Sequence, residues 1–174
     1  MKKLFLITIL SLALLPVMAQ QHKSGQHCGN CPQHQAQTHQ PRTINGIAAE
    51  IVKVFPDAKG IQTNGKWIAV YDSYKKLLGY VVYSKPESNG IVGYNGETPL
   101  LIAFTPKQKI LSVTLLHNKE NTSYLNRITE AGLLKSWDGL KVKKARKKKV
   151  DTVSGATYSS RSIIQSLQAV MKAL

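Results

Sequence analysis

The chain has 174 residues and a formal charge of +15, because 24 lysines and arginines face only nine acidic residues. A chain of this length builds one domain with its own hydrophobic core, so it does not depend on a disulfide scaffold to stay folded. The positive charge favours anionic partners or surfaces. Nucleic-acid binding is disfavoured, since the basic segment carries no interleaved aromatic residues.

The N-terminus has the pattern of a secretory signal peptide. Lys2 and Lys3 precede the apolar run 4–15, and a small-residue site ends at Ala19. We predict a signal peptide at residues 1–19, cleaved after Ala19. The apolar run is too short for a permanent membrane anchor, and the cysteine that a lipid anchor requires does not follow the cleavage site. We therefore expect an exported, periplasmic or extracytoplasmic protein that associates with membranes only through partners or peripheral contact.

Residues 20–42 are rich in glutamine, histidine, serine and proline and show no apolar periodicity, which predicts a disordered tether. Within it, Cys28, Cys31 and His27 form a group suited to zinc or copper, or to a small disulfide loop after export. Pro32 directly follows the second cysteine, where c-type haem attachment requires histidine. We favour a disulfide or adventitious metal binding, and a metal-binding protein stays open as an alternative function.

The folded domain is expected at residues 43–174, and its first element is predicted to be a helix. Apolar residues recur at helical spacing as far as Phe55, and Pro56-Asp57 with Gly60 ends the pattern. The residues of this apolar face are Ile44, Ile47, Ala48, Ile51, Val52 and Phe55.

Strands follow the first helix. The β-rich segments 66–72 and 78–84 are predicted to be neighbouring strands, and the glycine-rich segment 90–96 is predicted to be a loop. Two more strands are expected at 98–104 and 109–117.

Two helices complete the predicted domain. One runs from Thr122 or Ser123 to about Ser136, with Ser123 as its cap and Trp137-Asp138-Gly139 closing it. The other runs from about Tyr158 to Leu174, after a very basic stretch. Strands flanked by helices indicate an α+β fold with an antiparallel sheet.

The segment 151–160 has the chemistry of a small-residue turn that opens a helix. Gly155 permits backbone angles closed to other residues, Ala156 keeps bulk away, and Thr157 falls at the predicted N-cap. The amides of Tyr158, Ser159 and Ser160 would then lack helical partners, which suits a phosphate. From the spacing alone, an ordinary threonine cap after a glycine turn is the favoured interpretation, because capping threonines are common. No base lies near Thr157 in the sequence, so self-catalysed modification is not expected.

The segment Asp151-Thr-Val-Ser-Gly-Ala-Thr157 resembles the flavinylation motif of the FMN-binding domain family. This family includes the FMN-bearing subunits of Rnf and sodium-pumping NADH:quinone reductase complexes. The resemblance implies that Thr157 carries FMN through a phosphoester, installed by an exported transferase that takes FMN from FAD and releases AMP. Asp151, Ser154, Gly155 and Ala156 match the remaining motif positions, and Tyr158 and Ser159 follow directly.

The resemblance extends to the glycine-tyrosine loop that begins at Gly93 and Tyr94, and it implies that both residues lie near the flavin. The family's Glu-Thr-Pro-Gly segment appears here as Glu-Asn-Thr-Ser, starting at Glu120. Glu120 keeps the acidic position, from which it either accepts from the flavin or holds the loop. Aromatic residues near these segments are candidates for stacking on the ring. In order of preference they are Tyr94, then Tyr124, Tyr158 and Trp137.

The run 141–149 holds seven cations just before the motif. Three interpretations stay open: concentrating an anionic flavin donor, docking an acidic redox partner, or forming a solvated basic face. For the whole chain, the resemblance implies an exported electron carrier with protein donors and acceptors or a membrane complex. A small extracytoplasmic flavin reductase is the enzymatic alternative.

Overall fold

The structure is a computed structural model that describes residues 42–174, and it begins with a hairpin rather than a helix. Strand β1 (Thr43–Ile44) pairs antiparallel with β2 (Ile47–Ala48). Asn45 and Gly46 between them have φ values of 52° and 77°, the positive angles of a tight Asn-Gly hairpin turn. The predicted first helix is therefore wrong in its first half. Helix α1 covers only Ala49–Val54, because the turn chemistry overrides the apolar spacing before it.

The sheet has five antiparallel strands whose spatial order follows the chain. Four were predicted from their β-rich pattern, and β5 lies between β4 and β6. The first, β3, was missed because it is an edge strand with mostly exposed, polar residues. The strands are β3 (Gly60–Asn64), β4 (Trp67–Tyr71), β5 (Leu77–Tyr83), β6 (Leu100–Phe104) and β7 (Ile110–Leu115).

Strand β6 explains how the core is arranged, because all five of its residues are buried. Ile102 and Phe104 pack with the helices that follow the sheet, whereas Leu101 and Ala103 pack with α1 on the other face. Alternate residues of a strand point to opposite faces. The sheet is thus covered on both sides, which confirms the predicted α+β fold with an antiparallel sheet flanked by helices.

Helix α2 (Thr122–Glu130) is shorter than the predicted 122–136 helix. Gly132 adopts a left-handed conformation with φ of 67°, and a 3-10 turn covers Leu133–Trp137. Glycine in this conformation is a common way to end a helix. The cap also differs, since Asn121 Oδ1 accepts from the Ser123 amide at 2.8 Å. Trp137 is fully buried in the core, so its predicted role in stacking on a ring is wrong.

Two further helices follow. The basic stretch contains a short helix, α3 (Val142–Lys147), which the sequence pattern missed because Val142 and Ala145 alone supply its inner face. The last helix, α4 (Thr157–Ala173), is confirmed and buries an apolar stripe against the sheet. That stripe contains Ile163, Ile164, Leu167, Val170 and Met171.

The predictions made for the N-terminus concern residues outside the described range. They are the signal peptide at 1–19, the tether at 20–42 except for its last residue, and the group of Cys28, Cys31 and His27. Across residues 42–174, no helix combines the length and the apolar character needed to cross a membrane.

Candidate functional site

Thr157 lies at the start of α4, but one position later than predicted. Ala156 is the N-cap residue and makes no side-chain cap, while Thr157 is the first helical residue. Its side chain is half-buried. Because Thr157 is not the cap, its hydroxyl is not used to close the helix, and it forms no hydrogen bond to the described residues. The hydroxyl is available for other chemistry.

The helix start presents free backbone donors beside that hydroxyl. The first helical hydrogen bond is donated by the Ser160 amide to Ala156 O at 2.9 Å. The amides of Thr157, Tyr158 and Ser159 precede it, so the free amides lie one residue earlier than predicted. The dipole of this 17-residue helix adds positive potential at the same end. Together these donors suit the oxygens of a phosphate.

Ser160 of α4 and Gly155 stabilise the turn before α4. Ser160 Oγ accepts from the Val153 amide at 3.0 Å and donates to Ala156 O at 2.8 Å. Gly155 has a φ of 74°, which favours glycine. Asp151 and Ser154, the other motif residues of the turn, are exposed and their side chains bond to no described residue.

Arg127 of α2 is a site residue that the sequence did not indicate. A Cβ added to Gly155 would collide with its guanidinium, whose Cζ would lie 3.2 Å away. The Arg127 side chain has neither a hydrogen bond nor an ion pair among residues 42–174. An unpaired cation is therefore packed against the turn that leads into Thr157.

Glu120 joins the glycine-rich loop to α4. Its side chain is buried, with 8% of the residue exposed. Oε1 accepts from the Asn95 amide at 2.8 Å, and Oε2 accepts from Ser159 Oγ. Of the two roles considered for Glu120, this geometry is that of a residue that holds the loop. Ser159 is buried, and its hydroxyl donates its hydrogen bond to Glu120.

The loop is fixed at its ends as well. The Gly93 amide donates to Gly96 O at 2.6 Å, and the Gly90 amide donates to Glu97 at 3.2 Å. The Lys85 ammonium that bonds to Glu97 lowers the pKa of that carboxyl, and the bond from Gly90 lowers it further. Glu97 therefore stays ionised and keeps accepting from Gly90. The loop has a defined path, which sets the position of Tyr94.

Gly93 is required by the close approach of Glu120. A Cβ at position 93 would lie 2.5 Å from Glu120 Oε1 and 3.0 Å from Ser162 Oγ. We therefore expect Gly93→Ala to displace the carboxylate and lower the free energy of unfolding by about 1–3 kcal/mol, the usual cost of overpacking. Urea denaturation followed by tryptophan fluorescence measures the change. Gly90→Ala, at an open position with positive φ, is the comparison for backbone strain alone; a smaller loss for Gly93→Ala than for Gly90→Ala would contradict the steric account.

Tyrosines surround the helix start. Tyr94 is 58% exposed and makes an edge-on contact with Tyr124, with ring centroids 5.2 Å apart. Tyr158 is 64% exposed, and the Arg161 guanidinium lies 5.9 Å from its ring centroid. These side chains and the turn enclose a cavity of about 240 Å³, the attachment cavity. Its lining residues are Tyr94, Tyr124, Gly155, Ala156, Thr157, Tyr158 and Ser159.

The residues that line the attachment cavity come from segments that are far apart in the sequence. The attachment cavity brings the predicted Tyr94, Tyr124 and Tyr158 together with the turn residues Gly155–Ser159, whereas Gly93 and Glu120 lie behind it as supports. Trp137 is not among its lining residues. In the described part of the chain, no group of three or more histidine, cysteine or acidic residues is placed to hold a metal ion.

The basic run does not lie beside the attachment cavity in the way that its sequence position suggested. Arg146 Nε donates to Met171 O at 3.0 Å, which places α3 next to the C-terminal end of α4. Met171 follows Thr157 by 14 positions, about 21 Å along the helix axis. The idea that these cations concentrate a flavin donor at Thr157 is therefore not supported by the position of α3.

The same segments match a known family. Residues 93–172, from the glycine-rich loop to the end of α4, match the model of the FMN-binding domain. This chain carries an FMN-binding domain. No curated protein matches the chain. The crystal structure of NqrC from Shewanella oneidensis aligns with 67% of this chain and with just under two thirds, 66%, of its own, at 19% identity and a TM-score of 0.41.

The residues of the site fit FMN. The free amides and Arg127 supply donors and positive charge for its phosphate, and the tyrosines offer faces for its ring. The attachment cavity is smaller than the roughly 300–1,000 Å³ of clefts that enclose a ligand. The FMN-binding domain would therefore cover only part of the cofactor.

Proposed function

We propose that this protein is an electron carrier that bears FMN as a phosphoester on Thr157. The observation that carries the proposal is the unused hydroxyl of Thr157 at the first turn of α4, beside free amides and within the part of the chain that matches the FMN-binding domain. The small attachment cavity supports a covalent link. A site that encloses so little of a ligand gains little affinity from contacts alone. A covalent bond holds the cofactor in place without that affinity.

The attachment step would be catalysed by a separate FAD-dependent flavin transferase. The Thr157 hydroxyl oxygen attacks the phosphorus of the FMN half of FAD, a new phosphorus–oxygen bond forms, and the pyrophosphate bond breaks with release of AMP. The hydroxyl proton must pass to a base of the transferase, since Thr157 Oγ1 has no hydrogen-bond partner among residues 42–174. Thr157 is thus an acceptor of the modification and not a catalyst.

The residues around Thr157 then hold the cofactor. The amides of Thr157, Tyr158 and Ser159 would bind phosphate oxygens, while Tyr94 and Tyr158 would contact the ring. Bound FMN supplies one-electron and two-electron transfer. A ring that is only partly covered by this chain can approach the cofactor of another protein, which suits a carrier between protein partners better than an enzyme with its own substrate site.

The signal pattern at residues 1–19 extends the proposal to the protein's location. The carrier is exported and works in the periplasm or another extracytoplasmic space, where the transferase modifies it. Its electron donor and acceptor are redox proteins, either separate from one another or parts of a membrane complex.

The direct test is to locate the flavin. The chain is produced together with an FAD-dependent flavin transferase, purified, digested and analysed by mass spectrometry. We expect the FMN phosphate on the peptide that contains Thr157, and an unmodified peptide when the transferase is omitted. Flavin that leaves the protein on denaturation, or that maps to another residue, would refute the proposal.

Arg127 should help to bind the flavin phosphate at Thr157. Replacing it by glutamine removes the cation packed against Gly155. An exposed ion pair contributes at most about 1 kcal/mol, so Arg127→Gln should lower the initial rate of flavin loading about fivefold. The rate is followed by the fluorescence of the denatured protein over time. Flavinylation should also raise the melting temperature of the parent more than that of this variant.

Lys144→Gln is the matched control, since it removes one exposed charge from α3 at the other end of α4. It should load at the parent rate. Equal slowing of both variants would show that net charge, and not contact at the turn, governs loading. Normal loading of Arg127→Gln would show that Arg127 has no role in binding the phosphate, and it would not contradict attachment at Thr157.

A further inference from the structure

We call the seven cations of residues 141–149 the basic patch. Five of them line an open depression of about 530 Å³, namely Lys143, Lys144, Arg146, Lys147 and Lys148. The two ion pairs found within residues 42–174 are Lys66–Glu87 and Lys85–Glu97, so no described carboxylate neutralises the patch. The FMN-binding site makes no use of this charge.

The fold holds the patch open to solvent. Ala145 is fully buried and Val142 half-buried, which fixes the inner face of α3 on the core and leaves its cations outside. Arg146 is tied to Met171 O, and Lys148 donates to Ser136 O. The ammonium groups of the other five lysines are bonded to no described residue. Helix α3 is thus a rigid support for several free ammonium groups.

The position of the patch separates it from the redox site. Its anchor at Met171 lies about 21 Å along α4 from Thr157. A partner on the patch would leave the attachment cavity accessible, but it would be poorly placed to exchange electrons with a group at Thr157. The patch therefore fits a partner that anchors the protein rather than one that oxidises or reduces it.

The residue types favour a lipid surface over a protein. Six of the seven cations are lysines, which act as strongly hydrated point charges, and the single arginine is engaged with Met171 O. Protein interfaces are enriched in arginine and aromatic residues and depleted in lysine. Clusters of four to eight basic residues are typical of segments that bind anionic membranes. We propose that the basic patch docks this protein on an anionic phospholipid surface.

The energetics suit reversible docking. Each lysine near an anionic membrane strengthens binding by about fivefold, and the effect disappears within about 10 Å at ordinary salt. Lys143, Lys144 and Lys147, whose ammonium groups are free and which line the same depression, therefore bind together in low salt and release in high salt. Docking needs neither the flavin nor Thr157.

Vesicle sedimentation of the full chain tests the proposal. The probes are vesicles of phosphatidylcholine alone and of phosphatidylcholine with phosphatidylglycerol, at low and high salt. We expect binding to the anionic vesicles at low salt, equal for the flavin-loaded and flavin-free protein. Replacing Lys143, Lys144 and Lys147 with glutamine should weaken this binding on the order of 100-fold.

The matched control replaces Lys53, Lys59 and Lys76 with glutamine, three exposed lysines outside the patch. It removes the same charge and should change binding by less than about threefold. Equal losses in the two triple variants would overturn the proposal in favour of net charge alone. Absence of binding to anionic vesicles, with retention on immobilised polyglutamate, would overturn it in favour of an acidic protein partner.

Discussion

Replacing Thr157 with valine should abolish covalent flavin while leaving the fold intact. Valine is close to threonine in shape but has no hydroxyl, so no phosphoester can form. The threonine hydroxyl makes no hydrogen bond to residues 42–174, so its loss leaves none of those groups unsatisfied. With the transferase present, the denatured parent should give a fluorescent band under ultraviolet light, whereas Thr157→Val should stay dark.

Thr152→Val is the matched control for this experiment. Thr152 is an exposed threonine in the same turn, five residues before the proposed acceptor. This variant should load flavin like the parent, which would exclude a general effect of removing a threonine from the turn. A fluorescent Thr157→Val band would contradict the central proposal, as would a parent band that stays dark. Circular dichroism spectra of both variants, unchanged from the parent, would show that the fold persists.

Changing Glu120 to glutamine should have the second largest effect, on both stability and flavin loading. The carboxylate accepts from two donors, the Asn95 amide and Ser159 Oγ. A glutamine can still accept from the Asn95 amide and donate through its NH2 group to Ser159 Oγ, but the Ser159 hydroxyl proton then loses its carboxylate acceptor. Leaving a buried donor unsatisfied costs about 1–3 kcal/mol, and the loss of charge weakens the remaining bond. We expect the free energy of unfolding to fall by about 2–3 kcal/mol in urea denaturation.

The effect on loading follows from the loop. Glu120 connects the loop that carries Tyr94 to the first turn of α4. Replacing it should therefore let Tyr94, which lines the attachment cavity, move away from α4. Glu130→Gln, at an exposed position on α2, is the control and should match the parent in stability and loading. If Glu120→Gln were as stable as Glu130→Gln, the bridge between the loop and α4 would be energetically unimportant.

Much of this domain is visible in the sequence because it depends on local chemistry. The β-rich segments become strands, and the apolar periodicity after residue 158 becomes α4. The errors also have local causes. The Asn45-Gly46 turn converts a helical pattern into a hairpin, and Gly132 divides the second predicted helix. Both are cases in which a backbone with positive φ outweighs side-chain periodicity.

Aromatic residues show where sequence reasoning failed. Four aromatic residues were candidate ring contacts, with Tyr94 preferred over Tyr124, Tyr158 and Trp137. Trp137 is buried in the core, whereas the three tyrosines line the attachment cavity. Composition does not separate a core aromatic from a site aromatic. The difference arises from whether the neighbouring elements close over the ring, which happens only when the chain has folded.

The sequence by itself determined that a small-residue turn opens α4, since Gly155, Ala156 and Thr157 act through backbone angles that their neighbours in the chain already define, although it placed the cap one residue late. Only the tertiary structure decided what surrounds that turn. Arg127 and Glu120 reach it from other elements, and α3 carries its cations to the opposite end of α4. The physical reason is distance: a turn forms from bonds between adjacent residues, whereas charges and hydrogen bonds across the fold exist only after the sheet and helices have packed.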